Sequence, residues 1–526
     1  MSTVEIATLS ITLDRTDVAS DGLTRQVYNQ LRAAILAGRL RSGDRLPPSR
    51  ELARELHVAR LTVATAYEWL RAEGYVYGRV GSGTYVAPAF GEAHVEPRDI
   101  QPDHISAPSI PVRDDTADQS HPPLTAWARR LATISLSGAG NGVHAPFDLS
   151  PGTGAAEAFP WVRWRRIVGS QDPADFYGRD AYGTAGSSRW DALLGPMETR
   201  TAIAEWLSRS RAVRCDPGQV LIATSVQQIL ALLARLLVEP EQSLIVEDPS
   251  YIGFHAAFLA EGARLLGVPV DDSGIRVEAL PDPGAAPHLA VVTPSHQYPT
   301  GVTMSMERRL ALLDWARRAH VVVVEDDYDG DLRLEGQPLE ALRGLDTRDE
   351  VIYIGTFAKA LYPAVRLAYA VLPHWLIELV ARARAASDRH PIWRDALVVA
   401  RFIEAGELER HLARVRRLYR ARRDALLAAL NADLPDLLAP GPAEAGIHVL
   451  ALLPAGVNDQ MIAEQALRQG IAVTALSPHF GSHPRPGLLL GFGALNETAL
   501  REAVRRLAPV IRRAAGSARI TMSSAH

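Results

Sequence analysis

The chain has 526 residues, 47% of them hydrophobic and 22% charged, and a formal net charge of −4. This length exceeds what one hydrophobic core usually serves, so we expect two or three domains. Any nucleic-acid surface must be local, because the whole chain is acidic. The single cysteine, Cys215, excludes an intramolecular disulfide framework. With no signal-peptide pattern and no apolar run of membrane-spanning length, the sequence predicts a cytoplasmic protein that does not contact a membrane.

Residues 20–87 have the pattern of three short helices followed by two strands. Helices are predicted over 23–36, 49–56 and 62–71, and Ser49 is well placed to cap the second of them. Strands are predicted over 75–77 and 84–86, on either side of a glycine-rich tip. This order predicts a winged helix-turn-helix domain.

The same segment is locally basic, with ten arginines and six acidic residues between positions 20 and 86. It resembles the GntR family of bacterial repressors in the run from Gly43 to Ala53, around Ala66-Tyr67 and in the glycine-rich tip. Departures at Ala59 and Leu61 indicate an unusual base preference. The resemblance implies that the domain binds a double-stranded DNA operator. The implied contact residues are Arg45, Ser49, Arg50, Arg60, Thr62, Thr65, Tyr67 and Gly83.

Residues 88–145 differ from their surroundings, since seven prolines interrupt any periodicity before position 124. We expect a flexible linker, with a short helix over 124–136 near its end. From residue 146 onward, apolar strands alternate with helices. This alternation predicts an α/β domain with a mostly parallel sheet covered on both faces. Residues 410–515 fit a smaller α/β lobe of the same domain.

One lysine stands among the 56 basic residues of the chain, and it is Lys359. Arginine cannot replace lysine in a Schiff base, because its guanidinium stays protonated and is a poor nucleophile. The alternative, a codon bias that spared one lysine by accident, does not explain its position. Lys359 ends the run Gly355-Thr356-Phe357-Ala358-Lys359, directly after a predicted buried strand that can hold its amine partly desolvated.

Residues 146–515 resemble the fold-type I aminotransferases in this run and in three others, around Tyr251, around Tyr298 and over 321–329. The resemblance implies that Lys359 holds pyridoxal 5'-phosphate as an internal aldimine. It assigns Asp326 to the pyridine nitrogen, with Asp327 as the alternative, and Tyr328 to the ring hydroxyl. Tyr251 is expected to stack on the ring. No metal is implied.

The remaining implied roles concern the phosphate, the effector and the partner subunit. Tyr298 replaces the asparagine that many relatives place beside the ring, while Ser225 and Val226 replace a glycine and a hydroxyl residue at the phosphate turn. Arg485 is the nearest candidate for binding an effector carboxylate. The phosphate residues are Thr356, Arg366, Ser225, Val226 and Tyr182, the last of which is expected to reach the partner subunit of a homodimer.

The order of a GntR-like domain, a linker and an aminotransferase-like domain resembles the MocR subfamily of bacterial regulators. The implied function is a transcription regulator that senses pyridoxal phosphate or an amino compound and changes its DNA binding in response. A working aminotransferase with a tethered DNA-binding module is the alternative, and the sequence leaves open whether turnover occurs. A scaffold with a degenerate site is disfavoured, because Asp326, Tyr328, Lys359 and Arg366 are all retained.

Overall fold

The chain forms two compact units, Met1–Ser109 and Ile110–His526, and each is described by itself. The structure is a computed structural model. It describes residues 2–6, 9–13, 22–79, 83–87, 124–134, 145–170, 191–336, 339–361, 365–388, 392–435 and 439–523.

The first unit has the predicted winged helix-turn-helix order, preceded by a hairpin that the sequence did not reveal. Gln30 binds both backbone groups of Thr12 in this hairpin, at 2.9 and 2.6 Å. Ile11 and Leu13 are fully buried in the core of the unit, so the hairpin extends the domain beyond the expected boundary. The elements are β1 (Ser2–Ile6), β2 (Leu9–Leu13), helices Gly22–Leu36, Ser49–Glu55 and Arg60–Ala72, β3 (Val76–Arg79) and β4 (Gly83–Val86).

The starts of the second and third helices differ from the expectation. Ser49 does not cap the second helix, because it is already the first helical residue and Pro48 occupies the cap position without a side-chain hydrogen bond. A proline there fixes the backbone angle at the helix entrance. The third helix begins at Arg60, two residues earlier than predicted, and its cap residue Ala59 has no side chain that can accept a hydrogen bond.

The second unit is built on an eight-stranded sheet with the order β6-β13-β12-β11-β10-β7-β8-β9. Strand β13 is antiparallel to both neighbours, and β9 is antiparallel to β8, while the remaining pairs are parallel. The strands of this unit are β5 (Phe147–Asp148), β6 (Val220–Ala223), β7 (Ser243–Asp248), β8 (Arg264–Asp271), β9 (Gly274–Ile275), β10 (Leu289–Val292), β11 (Val322–Asp327), β12 (Val351–Thr356), β13 (Ala368–Val371), β14 (Ala439–Pro440), β15 (His448–Leu452), β16 (Ile471–Ala472), β17 (Thr474–Ala475) and β18 (Gly487–Gly491).

Helices cover this sheet and form much of a smaller lobe, whose antiparallel sheet has the order β14-β15-β18-β17. Among the described residues, no helix is both long and apolar enough to cross a membrane. The helices are Ala126–Thr133, Trp161–Gly169, Asp191–Leu194, Met197–Ser210, Val226–Leu237, Ile252–Ala260, Met306–Ala319, Leu342–Leu345, His374–Ser387, Arg394–Glu404, Glu407–Asp433, Asp459–Arg468 and Glu497–Ser523.

The helix Ala126–Thr133 lies inside the segment that we expected to be a linker. Thr125 caps it, and Arg130 Nε donates to the Ala260 carbonyl at 2.9 Å. Trp127 Nε1 donates to Glu261 at 3.2 Å. This part of the predicted linker is therefore attached to the larger unit, while residues 88–123 and 135–144 lie outside the described residues.

A buried ion pair joins the end of β11 to the segment that follows helix Met197–Ser210. Arg211 Nε lies 2.7 Å from Asp327 Oδ2, and both side chains are almost fully buried. The Tyr353 hydroxyl donates to the same carboxylate oxygen at 2.6 Å, and Arg211 also donates to Ser295 Oγ at 2.6 Å. The ion pair and its two hydrogen bonds thus connect the end of β11, strand β12 and the loop that carries Ser295. Removing either partner of the pair would leave the other charge buried alone.

We predict that Arg211→Met lowers the free energy of unfolding of the full chain by about 3–5 kcal/mol, because methionine fills the space but leaves the Asp327 charge uncompensated. Urea unfolding followed by circular dichroism measures the loss. Arg209→Met is the matched control, since Arg209 is exposed and its contacts to Glu205 and Glu409 are 4.0 and 3.6 Å long. A control that loses as much as the test variant would contradict the assignment.

Candidate functional site

A cavity of about 380 Å³ lies at the carboxyl ends of strands β6, β7, β10, β11 and β12. These five strands run in the same direction, so the loops that follow them meet at one edge of the sheet, where α/β folds usually bind ligands. Nine residues that the sequence analysis assigned to one cofactor line this cavity. They are Ser225, Val226, Tyr251, Tyr298, Asp326, Tyr328, Thr356, Lys359 and Arg366. Tyr182 lies outside the described residues.

The amine of Lys359 is held against a glycine that the sequence analysis did not identify. Lys359 Nζ donates to the Gly152 carbonyl at 3.0 Å. Gly152 has φ +95°, a backbone region that strains other residues, and a Cβ there would stand 2.1 Å from the amine and displace it. Burial lowers the pKa of Lys359, against the opposing attraction of Asp329 and Asp326. A larger share of the amine is therefore unprotonated and nucleophilic at neutral pH.

Asp326 and Asp327 point in opposite directions, as neighbours on a strand do. Asp326 lines the cavity and is 4% exposed, and its Oδ1 has no hydrogen-bond partner among the described residues. Burial raises the pKa of Asp326 well above its ordinary value, and the nearby Asp327 and Asp329 add to the effect. Asp327 is already occupied by Arg211 and Tyr353. The arrangement leaves Asp326, and not Asp327, able to face a cationic ring nitrogen.

The opposite end of the cavity is suited to an anion. Ser225 caps helix Val226–Leu237, its hydroxyl accepting from the Gln228 backbone N–H at 3.1 Å, and the first helical turn lines the cavity. A helix start of this kind presents backbone N–H groups to a phosphate. Arg366 is exposed at the cavity with φ +44°, a backbone region that a non-glycine residue rarely adopts. Its guanidinium can bind phosphate oxygens in pairs.

Three tyrosines form an aromatic wall of the cavity. The ring of Tyr298 lies 5.5 Å from that of Tyr251 and 5.8 Å from that of Tyr328, in both cases nearly perpendicular. Burial raises the pKa of all three, so their hydroxyls stay protonated at neutral pH. The loop that carries Tyr298 is held by Glu247, which accepts from Thr293 Oγ1 at 2.6 Å and from Gln297 at 3.1 Å.

A second group of buried polar side chains adjoins this wall and was missed by the sequence analysis. His296 Nδ1 lies 2.8 Å from the Tyr328 hydroxyl and 2.8 Å from Asp329 Oδ2. The ring of His448 stands 5.2 Å from that of His296. Asp329 and His448 line the cavity. His296 and Asp329 lie in the runs that the resemblance rests on, but His448 is 119 positions downstream of Asp329 and only the fold brings it there.

The structure corrects the prediction for Arg485, which is exposed and does not line the cavity. It precedes strand β18, whose residue Leu489 is 0% exposed and packs with Tyr298 and Leu476. Arg485 is therefore close to β18 in the sequence but does not lie at the cavity. The residue that packs behind Tyr298 is apolar.

In the first unit, the candidate DNA contacts lie mainly on the surface. Arg50 and Arg60 are exposed in the first turns of the second and third helices. Arg45 is exposed and its backbone pairs with Tyr85 of the wing. The guanidinium of Arg45 lies 2.9 Å from where a Cβ of Gly83 would stand, and Gly83 has φ +122°. The remaining candidates Ser49, Thr62 and Thr65 are half-buried, while Leu61, which replaces a polar residue of the GntR family, is 75% exposed.

Tyr67 is the one DNA-contact candidate that the structure moves into the core. It is 7% exposed, and its hydroxyl donates to the Pro47 carbonyl at 2.8 Å. Burial raises its pKa above the ordinary value. Tyr67 therefore supports the turn between Arg45 and Ser49 and does not itself face a ligand.

Comparison with known proteins agrees with both halves of the structure. Residues 190–507 match the model of aminotransferase class I and II, and residues 23–86 match that of bacterial regulatory proteins of the gntR family. The chain is 35% identical over 484 residues to the "Probable rhizopine catabolism regulatory protein MocR" of Rhizobium meliloti, covering 92% of each chain. It is 29% identical to the pyridoxine biosynthesis transcriptional regulator PdxR of Corynebacterium glutamicum, covering 96% of this chain and 99% of the relative.

Among solved structures, the α-aminoadipate aminotransferase LysN of Thermus thermophilus superimposes with a TM-score of 0.64 and 27% identity. The match covers 74% of this chain and 97% of LysN, which was crystallised with N-(5'-phosphopyridoxyl)-L-leucine. The resemblance thus extends over nearly all of the enzyme but leaves about a quarter of this chain unmatched.

We predict that Arg50→Ala and Arg60→Ala each weaken duplex binding on all sequences. Removing one phosphate contact should flatten the dependence of log affinity on log salt by roughly one unit of slope. Fluorescence anisotropy with the full chain at several salt concentrations measures both effects. Arg25→Ala is the matched control, since Arg25 is exposed on the first helix. Unchanged affinity and slope in both test variants would reject the assignment.

Proposed function

We propose that this chain, which belongs to the MocR subfamily of GntR-type transcription regulators, controls its DNA binding through the occupancy of the cavity at Lys359. The cofactor of that cavity is pyridoxal 5'-phosphate. The observation that carries the proposal is the convergence of Lys359, with its lowered pKa, and the unpaired Asp326 Oδ1 on one cavity that ends at a helix N-terminus.

Each part of the cofactor has a suitable partner in the chain. Arg366, Thr356 and the first turn of helix Val226–Leu237 would hold the phosphate. Asp326 would pair with the ring nitrogen and so gain the cation that its buried oxygen lacks. Tyr328 would donate to the ring oxygen, and Tyr251 would cover the ring face. When bound, the group supplies an aldehyde carbon that condenses with amines and a ring that withdraws electrons.

Regulation requires that a ligand favours one of two arrangements of the protein. When bound, the cofactor would offer one aldehyde to both the Lys359 amine and an incoming amine, so an amine ligand would free the Lys359 side chain. A freed Lys359 would no longer restrain its own loop through the cofactor, and its amine could donate to the Gly152 carbonyl, as it does at 3.0 Å in this structure. We propose that this change of restraint is what alters operator affinity.

A working aminotransferase is the second candidate, because the same lowered pKa of Lys359 and the same Asp326 would serve turnover equally well. We further propose that the chain acts as a homodimer in the cytoplasm, where Tyr182 of one subunit reaches the cofactor phosphate of the other. The support is the resemblance of the Tyr182 segment to aminotransferases in which the partner chain completes the site.

We predict that borohydride reduction of the chain incubated with pyridoxal phosphate fixes a pyridoxyl group on Lys359. Since Lys359 is the only lysine, the N-terminal amine is the one competing primary amine. Peptide mapping by mass spectrometry distinguishes the two, and Lys359→Arg, which keeps the positive charge, is the control. An adduct confined to the N-terminus would refute the assignment.

We predict that the cofactor, or an amine that displaces Lys359 from it, changes operator affinity roughly five- to 150-fold, which corresponds to about 1–3 kcal/mol of coupling. An operator selected with the full chain from random duplexes serves for the anisotropy titrations. Lys359→Ala should bind the same operator but lose or alter the response. Identical responses of the wild type and Lys359→Ala, together with brisk turnover of an amino acid and a keto acid by the wild type, would favour the enzyme.

A further inference from the structure

The wall of the cavity that faces Lys359 presents hydrogen-bond acceptors. Asp329 and His448 line the cavity, and their atoms Asp329 Oδ1 and His448 Nε2 are buried without a hydrogen-bond partner within the part of the chain that the structure describes. His296 adjoins both residues, and one ligand atom from each of the three can be chosen so that all lie within 4.8 Å of one another. Two unsatisfied polar atoms in one cavity are costly unless a ligand binds them.

The chemistry of these atoms follows from their other contacts. Burial and the nearby His296 lower the pKa of His448 well below its ordinary value, so its ring is neutral, and the ring is held by the Pro299 carbonyl. A neutral imidazole that donates through one nitrogen accepts through the other, which makes Nε2 an acceptor. His296 Nδ1 lies 2.8 Å from both Asp329 Oδ2 and the Tyr328 hydroxyl, so His296 orients these two side chains but does not itself line the cavity.

The close approach of these groups is built into the backbone. Gly446 has φ +73°, and a Cβ there would stand 2.3 Å from the His296 ring and 2.5 Å from Asp329 Oδ2. Any side chain at position 446 would therefore push the pair apart. The glycine lies two residues before His448, so one short segment both admits the His296–Asp329 pair and supplies His448 to the cavity.

The charges around this wall disfavour a carboxylate. Asp326 and Asp329 both line the cavity, and among its described lining residues Arg366 is the one arginine. Arg366 belongs to the phosphate end of the proposed cofactor site. Behind Tyr298 stands Leu489, which packs in an apolar cluster with Leu450 and Leu476. At the wall formed by Asp329 and His448, a carboxylate, which brings only acceptors, would meet acceptors.

From this geometry we infer that the effector is a primary amine that bears hydroxyl groups and lacks a carboxylate, and that Asp329 and His448 bind its hydroxyls. Such a ligand, of the amino-alcohol or aminocyclitol class, supplies the donors that the wall lacks, while its amine reaches the position of Lys359. The inference rests on the proposed function, since it names the ligand class of the same cavity.

The test compares ligands that differ in one group. Serinol and serine share the amine and one hydroxyl, but serinol has a second hydroxymethyl group where serine has a carboxylate. The full chain loaded with pyridoxal phosphate is titrated with serinol, L-serine and D-serine, and binding is followed by cofactor absorbance and by calorimetry. We expect serinol to bind roughly tenfold or more tightly than either serine.

Asp329→Asn and His448→Leu should each reduce this preference roughly tenfold or more, because each removes an acceptor for a ligand hydroxyl. Asp272→Asn is the matched control, since Asp272 is exposed on the turn between β8 and β9. Formation of the borohydride adduct on Lys359 shows that each variant has kept its cofactor site.

Four outcomes would overturn the inference while leaving the proposed function in place. In the ligand comparison, these are that either serine binds as tightly as serinol, or that none of the three ligands binds although the Lys359 adduct forms. In the other measurements, these are that the preference survives in both variants, or that serinol binding by EDTA-treated protein requires added Zn²⁺. The last result would make the His296–Asp329–His448 cluster a metal site. Failure to form any adduct on Lys359 would instead reject the proposed function itself.

Discussion

The structure depends on the burial of one amine and two carboxylates around a single cavity. Lys359, Asp326 and Asp329 all line it, and burial shifts the pKa values of Lys359 and Asp326 in opposite directions. It pushes the pKa of Lys359 down and that of Asp326 up, so each group is driven toward its neutral form unless a partner compensates. Under the proposed function, pyridoxal phosphate would offer its aldehyde to Lys359 and its ring nitrogen to Asp326. The cavity is thus arranged to gain free energy on binding such a molecule.

The rest of the larger unit keeps these groups in place. Strand β11 ends in three adjacent carboxylates, and the alternation of the strand sends Asp326 to the cavity and Asp327 to Arg211, while Glu325 accepts from backbone N–H groups. The Arg211–Asp327 pair fixes the end of the strand, and Glu247 fixes the neighbouring loop through Thr293 and Gln297. At this edge of the sheet, the Arg211–Asp327 pair therefore stabilises the fold, while Asp326 is available to bind a ligand.

Features that depend on local sequence patterns, such as helices with clear caps, could be predicted from the sequence. Helices Val226–Leu237 and Met306–Ala319 belong to the predicted alternation of strands and helices, and Ser225 and Ser305 cap them. The nine cavity residues were found by resemblance to known motifs. What could not be predicted depends on long-range contacts, such as the position of His448 beside His296, or the internal hydrogen bond of Tyr67 to Pro47. The prediction that Arg485 lies at the cavity was wrong for the same reason, because closeness in sequence to β18 does not determine which side chain points at the cavity.

The acceptor-rich wall also bears on the choice between regulator and enzyme. An aminotransferase must bind an amino donor and a keto acid in turn, and amino-acid and keto-acid substrates share a carboxylate that has to be oriented by a cation. Here the described position behind Tyr298 is filled by Leu489, and Asp329 and His448 line the cavity. A keto acid would lack both an amine for the cofactor and donors for this wall. A hydroxylated amine has both, so it can displace Lys359 and stay, which is the behaviour that a sensor needs and a turnover catalyst does not.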